Sequence, residues 1–166
     1  PALPSLKRLA SELGVAAYIV FPGSIPFRDV PSYISSFDVC LTPDPSNAYN
    51  DSCTTSKTME YMSLRKPTVC FRTRENQLTA GEAAIYVDNN DVVAYADAIV
   101  RLMDDSELRQ SLGQIARRRI DEGLTWEHQS AALLRLYYEL FNITGYDEGT
   151  RRNTDDSTNK QPAPVI

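Results

Sequence analysis

The sequence predicts an α/β fold, in which a parallel sheet is covered by helices on both faces. Two observations predict it. Short apolar runs alternate with stretches whose apolar residues recur at helical spacing, and this alternation is typical of strands joined by helices. The apolar runs are also hydrophobic along their whole length, as strands are when both faces of a parallel sheet are buried.

The first part of the chain contains two predicted helices and two predicted strands. Ser5 to Leu13 has its apolar residues on one helical face. Tyr18 to Phe21 is an apolar run closed by a Pro-Gly turn, which predicts a buried strand. Asp29 is placed to cap a helix that runs to Phe37, and Asp38 to Leu41 predicts the next strand.

In the rest of the chain predicted strands and helices alternate once more, and only helices follow. A polar loop leads into a helix of about Cys53 to Leu64, and Arg72 to Gly81 is interpreted as a loop between two further strands. These strands cover Pro67 to Phe71 and Ala83 to Val87, and the last three helices cover Val92 to Met103, Ser106 to Glu122 and Trp126 to Phe141. Ser106 is the predicted cap of the middle helix. Residues 1–141 form one predicted domain, and residues 142–166 a polar, disordered tail.

Composition argues against several kinds of protein. The chain has 166 residues, and its 17 basic and 22 acidic side chains leave a net charge of −5, which argues against nonspecific nucleic-acid binding. Cys40 and Cys70 lie inside apolar runs, so they are interpreted as reduced core residues of a cytoplasmic protein. With His128 as the single histidine, no His/Cys metal site is expected. No apolar run approaches the ~20 residues of a membrane-spanning helix, and the chain shows no signal peptide.

Three loops follow predicted strands and carry more polar, Gly or Pro residues than a plain connection needs. They are Pro22 to Phe27, Thr42 to Ser52 and Arg72 to Gly81. Ligands of parallel α/β sheets bind where the carboxyl ends of the strands meet the following helices. The three loops are therefore expected to line one crevice.

The second of these loops enters a helix whose predicted first turn is rich in hydroxyl groups. Cys53 is followed by Thr54, Thr55 and Ser56, and then by Lys57. Backbone N–H groups at a helix start favour anions, and the hydroxyls and the ammonium group add donors for phosphate oxygens. Glu60 lies one turn further on the same face, where a carboxylate accepts hydrogen bonds from ribose hydroxyls. The pattern suits a nucleoside diphosphate, although ordinary capping and an ordinary surface ion pair explain the same spacing.

Five motifs, in order, resemble the carboxyl-terminal domain of family 4 glycosyltransferases, which have the GT-B fold of two facing Rossmann-like domains. The resemblance covers residues 3–141. It rests on Val20-Phe21-Pro22-Gly23-Ser24-Ile25, Asp29-Val30-Pro31-Ser32-Tyr33-Ile34, Phe37-Asp38-Val39-Cys40-Leu41-Thr42-Pro43, Lys57-Thr58-Met59-Glu60-Tyr61-Met62 and Lys66-Pro67-Thr68-Val69. The helix that begins at Trp126 also stands where that family has its closing helix.

The resemblance implies roles for particular residues in a donor site. The family has a pair of glutamates there, and Glu60 matches the second, which binds the ribose. Ser52 stands in place of the first, with Asp51 beside it as an acid in a shifted position. The loop at Gly23, Ser24 and Ile25 would lie by the nucleobase, a tight turn being the other interpretation. Glu75 would reach the transferred sugar.

The function implied by the resemblance is retaining transfer of a sugar from a UDP- or GDP-linked donor to a glycan or lipid-linked acceptor in polysaccharide biosynthesis. Lys57 would stabilise the leaving diphosphate, and no metal or further cofactor would be needed. The family's amino-terminal domain, which binds the acceptor and could contact a membrane peripherally, has no counterpart here, nor has the first strand of the sheet. The chain alone is therefore expected to be inactive.

Three other functions are compatible with parts of this pattern. A nucleotide-sugar 2-epimerase has the same fold, but the chain lacks suitable His or paired carboxylates for acid–base work at the sugar. A noncatalytic nucleotide-binding module would explain Ser52. A phospho-acceptor receiver domain would need acids clustered after its early strands.

Overall fold

A computed structural model of the chain describes residues 2–88 and 90–142. The predicted tail therefore lies outside the described residues, apart from Asn142. Among the described residues the strands are β1 (Cys40–Thr42), β2 (Thr68–Phe71) and β3 (Ala84–Val87). The α-helices are α1 (Leu3–Glu12), α2 (Val30–Ser35), α3 (Ser56–Ser63), α4 (Arg74–Ala80), α5 (Val92–Asp104), α6 (Ser106–Arg119) and α7 (Trp126–Leu140). In this part of the chain no helix is long and apolar enough to cross a membrane.

The three strands form one parallel sheet in the order β1-β2-β3. Val69 at the centre of β2 stands opposite Leu41 of β1 and Ile85 of β3. All four residues of β2 are buried, as expected for a central strand covered on both faces. The predicted α/β architecture is confirmed. Parallel pairing also places the carboxyl ends of all three strands along the same edge of the sheet.

Side chains of β2 alternate between two hydrophobic clusters, one on each face of the sheet. Val69 and Phe71 pack on one face against residues of β3, α5 and α6: Val87, Tyr95, Ala98, Leu102 and Leu112. Cys70 packs on the other face against residues of α3, α4 and α6 and the segments beside them: Met62, Ala80, Ala83, Ala84, Ala116 and Ile120. The period of two along β2 thus fixes α3 and α4 on the face opposite α5.

The strand predicted at Tyr18 to Phe21 is wrong. Ala16–Tyr18 forms a 3₁₀ turn, and the residues after it make no strand pairing among the described residues. Tyr18 is 87% exposed and Val20 is 84% exposed. A strand requires a neighbouring strand for its backbone hydrogen bonds, and no described strand lies beside this segment. Local propensity alone therefore did not make a strand here.

Two predicted boundaries around the central loops are also wrong. The third helix begins at Ser56 and not at Cys53, because Cys53 and Thr55 have extended backbone angles. The segment predicted as the loop Arg72 to Gly81 is mostly the helix α4. Its start is capped by Thr73, whose hydroxyl oxygen accepts a hydrogen bond from Asn76 N–H at 3.1 Å.

Two predicted caps are wrong as well. Asp29 occupies the N-cap position of α2, but its side chain makes no capping hydrogen bond, since its backbone is already helical. At α6 the cap is Asp105 and not Ser106, because the Asp105 carboxylate accepts a hydrogen bond from Leu108 N–H at 2.8 Å. The other predicted helices agree with the structure to within a few residues at each end.

Candidate functional site

The loops at the carboxyl edge of the sheet meet around the beginning of α3. After β1 the chain runs through residues 43–55, called here the β1–α3 loop, before entering α3. After β2 it passes directly into α4, and after β3 it reaches Asn90. Each of these segments contacts the β1–α3 loop. This is the edge at which parallel α/β sheets bind ligands.

Lys57 lies in the first turn of α3 and is paired with Asp44. Its Nζ lies 2.6 Å from Asp44 Oδ2, and the two side chains are 37% and 32% exposed. Asp44 Oδ2 itself is shielded from solvent, and the contact lacks the angles of a hydrogen bond. The pair is therefore an ion pair at the mouth of the crevice, in which the ammonium group remains partly open to solvent.

The amino end of α3 is held by threonine hydroxyls. The Thr55 hydroxyl lies 2.9 Å from the hydroxyl of buried Thr58, which lies 3.4 Å from that of Thr42 at the end of β1. Thr55 thus occupies the N-cap position without a side-chain bond to the backbone of the first turn. Ser56 is exposed beside it. The helix start is tied to the strand while its backbone N–H groups receive no cap from Thr55, an arrangement suited to an anion.

Two hydrogen bonds join the β1–α3 loop to α4. The carboxylate of Asp51 accepts a hydrogen bond from the backbone N–H of Arg74 at 3.0 Å. The hydroxyl of Thr54 donates to the carboxylate of Glu75 at 2.6 Å. In this structure Asp51 and Glu75 therefore hold the loop against the next helix. The ribose or sugar contacts predicted for these acids stay predictions, and a ligand would have to share or displace these bonds.

The middle of the β1–α3 loop has its own internal bonds. The Ser52 hydroxyl donates to Ala48 O at 3.2 Å, so its side chain is engaged within a short turn. The side-chain amide of Asn90 makes two bonds to the backbone of Ser46, with Ser46 N donating to Oδ1 at 2.5 Å and Nδ2 donating to Ser46 O at 3.2 Å. The loop is thus fastened to the segments after both β2 and β3.

Glu60 lies on the side of α3 that faces α2. It lines a cavity of about 110 Å³ with Phe27, Val30, Pro31, Ile34, Ser63 and Leu64. Gly23, Ser24 and Ile25 precede this region in a loop, and Gly23 has a φ of 75° with open space around its Cα. The structure therefore places Glu60 near the segment that follows the Gly23–Ile25 loop.

Burial keeps the two thiols of the sheet, Cys40 and Cys70, neutral. Cys70, at the carboxyl end of β2, is fully buried, and burial raises its pKa to about 12 against smaller opposing effects of Thr42 and Lys57. Cys40 is buried too, and burial likewise raises its pKa to about 12. Both are free cysteines, as is half-buried Cys53. The prediction of buried core cysteines at 40 and 70 is confirmed, and neither thiol is set up as a nucleophile.

A larger cavity, about 650 Å³, lies away from this edge. Its lining includes Gly81 and Glu82, which precede β3, and Arg119 and Glu122 at the end of α6. It therefore opens near the amino end of β3, opposite the loops described above. Arg119 is already bonded to the carbonyls of Leu78 and Thr79. We assign the candidate site to the carboxyl edge, where the polar loops and the start of α3 converge.

Sequence reasoning missed two residues that organise this edge. The sequence places Asp44 only within the loop Thr42 to Ser52, and it gives Asn90 no role. The sequence does contain a signal for Asp44. This acid follows a strand, and the next helix carries a lysine in its first turn, so both residues are expected at the same edge of the sheet. Asn90 carries no such signal, because its partner is a backbone group 44 residues away.

Comparisons with known proteins agree on one kind of protein. The family model described as glycosyl transferases group 1 matches residues 1–105. D-inositol 3-phosphate glycosyltransferase of Corynebacterium jeikeium is 28% identical over 140 residues, which cover 83% of this chain and 32% of the relative. The GDP-mannose-dependent alpha-(1-6)-phosphatidylinositol monomannoside mannosyltransferase of Mycolicibacterium smegmatis is 27% identical over 140 residues, 82% of this chain and 37% of the relative.

A solved structure gives the same result for the fold. The chain superposes on sucrose-phosphate synthase from Thermosynechococcus elongatus with a TM-score of 0.70 and 25% identity, over 82% of this chain and 34% of that one. The chain thus spans about a third of the length of the proteins that it matches.

Proposed function

This chain belongs to the glycosyl transferases group 1, with the Rossmann-like α/β architecture of a GT-B domain, and we propose that it forms the nucleotide-sugar-binding part of a retaining glycosyltransferase. The observation that carries the proposal is that Lys57 lies in the first turn of α3, whose backbone N–H groups receive no side-chain cap, at the carboxyl edge of the sheet. Positive charge and unpaired N–H groups at this edge suit a diphosphate.

We infer the contacts with the donor from this arrangement together with the resemblance to the family. The diphosphate lies against the first turn of α3, where Ser56 and the backbone N–H groups donate and the Lys57 ammonium group neutralises charge. Glu60 accepts hydrogen bonds from the ribose hydroxyls, and the open backbone at Gly23 to Ile25 lies by the base. Lys57 and the helix start also stabilise the diphosphate as it leaves, an electrostatic role that requires no metal ion.

The whole protein transfers the sugar to a hydroxyl group of a glycan or lipid-linked acceptor, with retention of configuration, at the cytoplasmic side of a membrane. The named substrates of one relative, GDP-mannose and a phosphatidylinositol mannoside, support a GDP-linked donor and a lipid-linked acceptor. An amino-terminal GT-B domain supplies the acceptor contacts and any peripheral membrane contact, and the 166-residue chain binds the donor without transferring it.

Calorimetric titration with UDP, GDP and ADP tests the donor site. We expect one of the three to bind, and Lys57→Met to weaken that nucleotide about tenfold or more, since a hydrogen bond to a charged group contributes about 1.5–3 kcal/mol. Methionine keeps the aliphatic stem and removes only the ammonium group. Arg101→Met on the exposed face of α5 is the control, since it removes one positive charge away from the site, and it should change nothing. Absence of binding by any nucleotide would refute the proposal, and equal affinities of Lys57→Met and the parent would refute the role of Lys57.

A further inference from the structure

The acid that contacts Lys57 stands on an unusually constrained backbone. Asp44 lies between Pro43 and Pro45, directly after β1. Proline fixes its own φ and restricts the residue before it to extended conformations, so the backbone of Asp44 has little freedom. Pro45 O accepts hydrogen bonds from the side-chain amides of Asn47 at 3.1 Å and Asn50 at 2.7 Å. The carboxylate is therefore projected from a fixed point.

The other acids of the β1–α3 loop and α4 have different partners. Asp51 bonds to Arg74 N–H and Glu75 to the Thr54 hydroxyl, as described above. Asp44 points one oxygen away from solvent and onto Lys57 Nζ at 2.6 Å. A lysine side chain has four rotatable bonds and loses considerable entropy when it is fixed. A rigid acid that fixes it beforehand reduces the entropy that phosphate binding would otherwise cost.

We propose that Asp44 is a positioning residue that holds the Lys57 ammonium group over the amino end of α3, ready to meet the diphosphate. The inference rests on the proposed donor site and adds a residue to it. The ammonium group has three N–H donors, so Lys57 can keep its contact with Asp44 and still donate to a phosphate oxygen. Asp44 itself touches no part of the donor.

A carboxylate near a phosphate also repels it, so repulsion and positioning predict opposite changes in nucleotide affinity when Asp44 is replaced. Positioning makes Asp44 favourable for nucleotide binding only while Lys57 is present. Repulsion makes it unfavourable in every background. The two effects separate when Asp44→Asn is made both in the parent and in Lys57→Met, with affinity measured for whichever of UDP, GDP or ADP the parent binds.

We expect Asp44→Asn to weaken nucleotide binding about three- to tenfold in the parent, and to leave it unchanged or tighten it in Lys57→Met. Asp44→Glu, which restores the charge on a longer stem, should recover part of the loss, and Asp97→Asn on the exposed face of α5 should have no effect. Thermal unfolding of each variant shows that it is folded, and Asp44→Ser, which also removes the charge, carries the test should Asp44→Asn not fold.

Three results would overturn the inference. Tighter binding by Asp44→Asn in the parent would make Asp44 only a competitor of the phosphate. Equal weakening in both backgrounds would make its role structural and independent of Lys57. Full affinity in Asp44→Asn would remove the role altogether. In each of these cases the proposed donor site still stands if the parent binds a nucleotide and Lys57→Met binds it more weakly. If the parent binds no nucleotide, the donor site and the role of Asp44 are both refuted.

Discussion

A close approach between α6 and the turn after α3 predicts the largest effect of a small substitution. Gly113 lies buried in α6, and a Cβ built on it would stand 2.3 Å from the carbonyl oxygen of Arg65. Ordinary van der Waals contact for a Cβ begins at 3.4 Å, so Gly113→Ala forces the two segments apart by roughly 1 Å. The displaced part matters for the site because α3, which carries Lys57 in its first turn, ends at this turn.

The expected cost follows from overpacking. Inserting a methyl group into a well-packed interior costs about 1–3 kcal/mol. The better helix propensity of alanine returns at most about 1 kcal/mol of this. Because the neighbouring atom is a backbone oxygen only 2.3 Å away, the cost lies near the upper end of that range. The net loss of about 2 kcal/mol lowers the melting temperature of a chain of this size by roughly 4–8 °C. The Arg117 side chain, which donates to Ser63 O at 2.9 Å, joins the same two helices and limits how far they can separate.

Thermal and urea unfolding of Gly113→Ala provide the assay. Gly123→Ala is the matched control, because a Cβ at Gly123 would meet nothing within 4 Å and its φ lies outside the left-handed range. Gly123→Ala should unfold like the parent or slightly later. If Gly113→Ala unfolded like Gly123→Ala, the close packing of α6 on the α3 turn, and with it this account of how α3 is supported, would be wrong.

Two further predictions concern the buried thiol and the β1–α3 loop. Burial raises the pKa of Cys70 from 9.0 to about 12, so as the pH rises the thiol loses its proton in the unfolded chain before it does so in the folded chain. The free energy of unfolding should therefore fall between about pH 9 and 12, and Cys70 should contribute up to ~1.4 kcal/mol per pH unit to this fall. Cys70→Ala should show a shallower alkaline decline in urea unfolding under reducing conditions, and an unchanged decline would contradict the assignment. Asn90→Gly deletes both bonds to Ser46, and glycine adopts the φ of 57° at that position without strain. Amide hydrogen exchange in the β1–α3 loop should therefore become faster, while the free energy of unfolding of the whole domain falls by less than about 2 kcal/mol. Unchanged exchange there would show that Asn90 does not fasten the loop.

The sequence was sufficient for β1, β2 and β3 and for most of the helices that cover them, but not for α4, which was predicted as a loop. β2 was predictable because Val69 to Phe71 is apolar and lies between Pro67 on one side and polar residues on the other. The long helices α5, α6 and α7 were predictable from their periodicity, as extended periodic segments usually are. Tyr18 to Phe21 had the same strand pattern and formed none, because a strand depends on a neighbour that local sequence does not reveal.

The candidate site was only partly predictable for a similar reason. Lys57 and Glu60 were placed on α3 from spacing alone, since both lie on one short helix. The partners of Asp51, Thr54 and Glu75 come from segments about 20 residues away in the chain, and hydrogen bonds of this kind leave no local pattern. The extended backbone at Cys53 and Thr55 flanks Thr54, whose hydroxyl donates to Glu75 of α4, and local helix propensity did not reveal it.

Amide chemical-shift mapping of the ¹⁵N-labelled chain during nucleotide addition tests the central claim most directly. The account predicts saturable shifts at Ser56, Lys57 and Thr58, with further shifts at Gly23 where the base lies. It predicts no shifts around the separate cavity at Gly81 and Arg119. Shifts confined to that cavity, or none with UDP, GDP or ADP at millimolar concentration, would contradict a donor site at the start of α3.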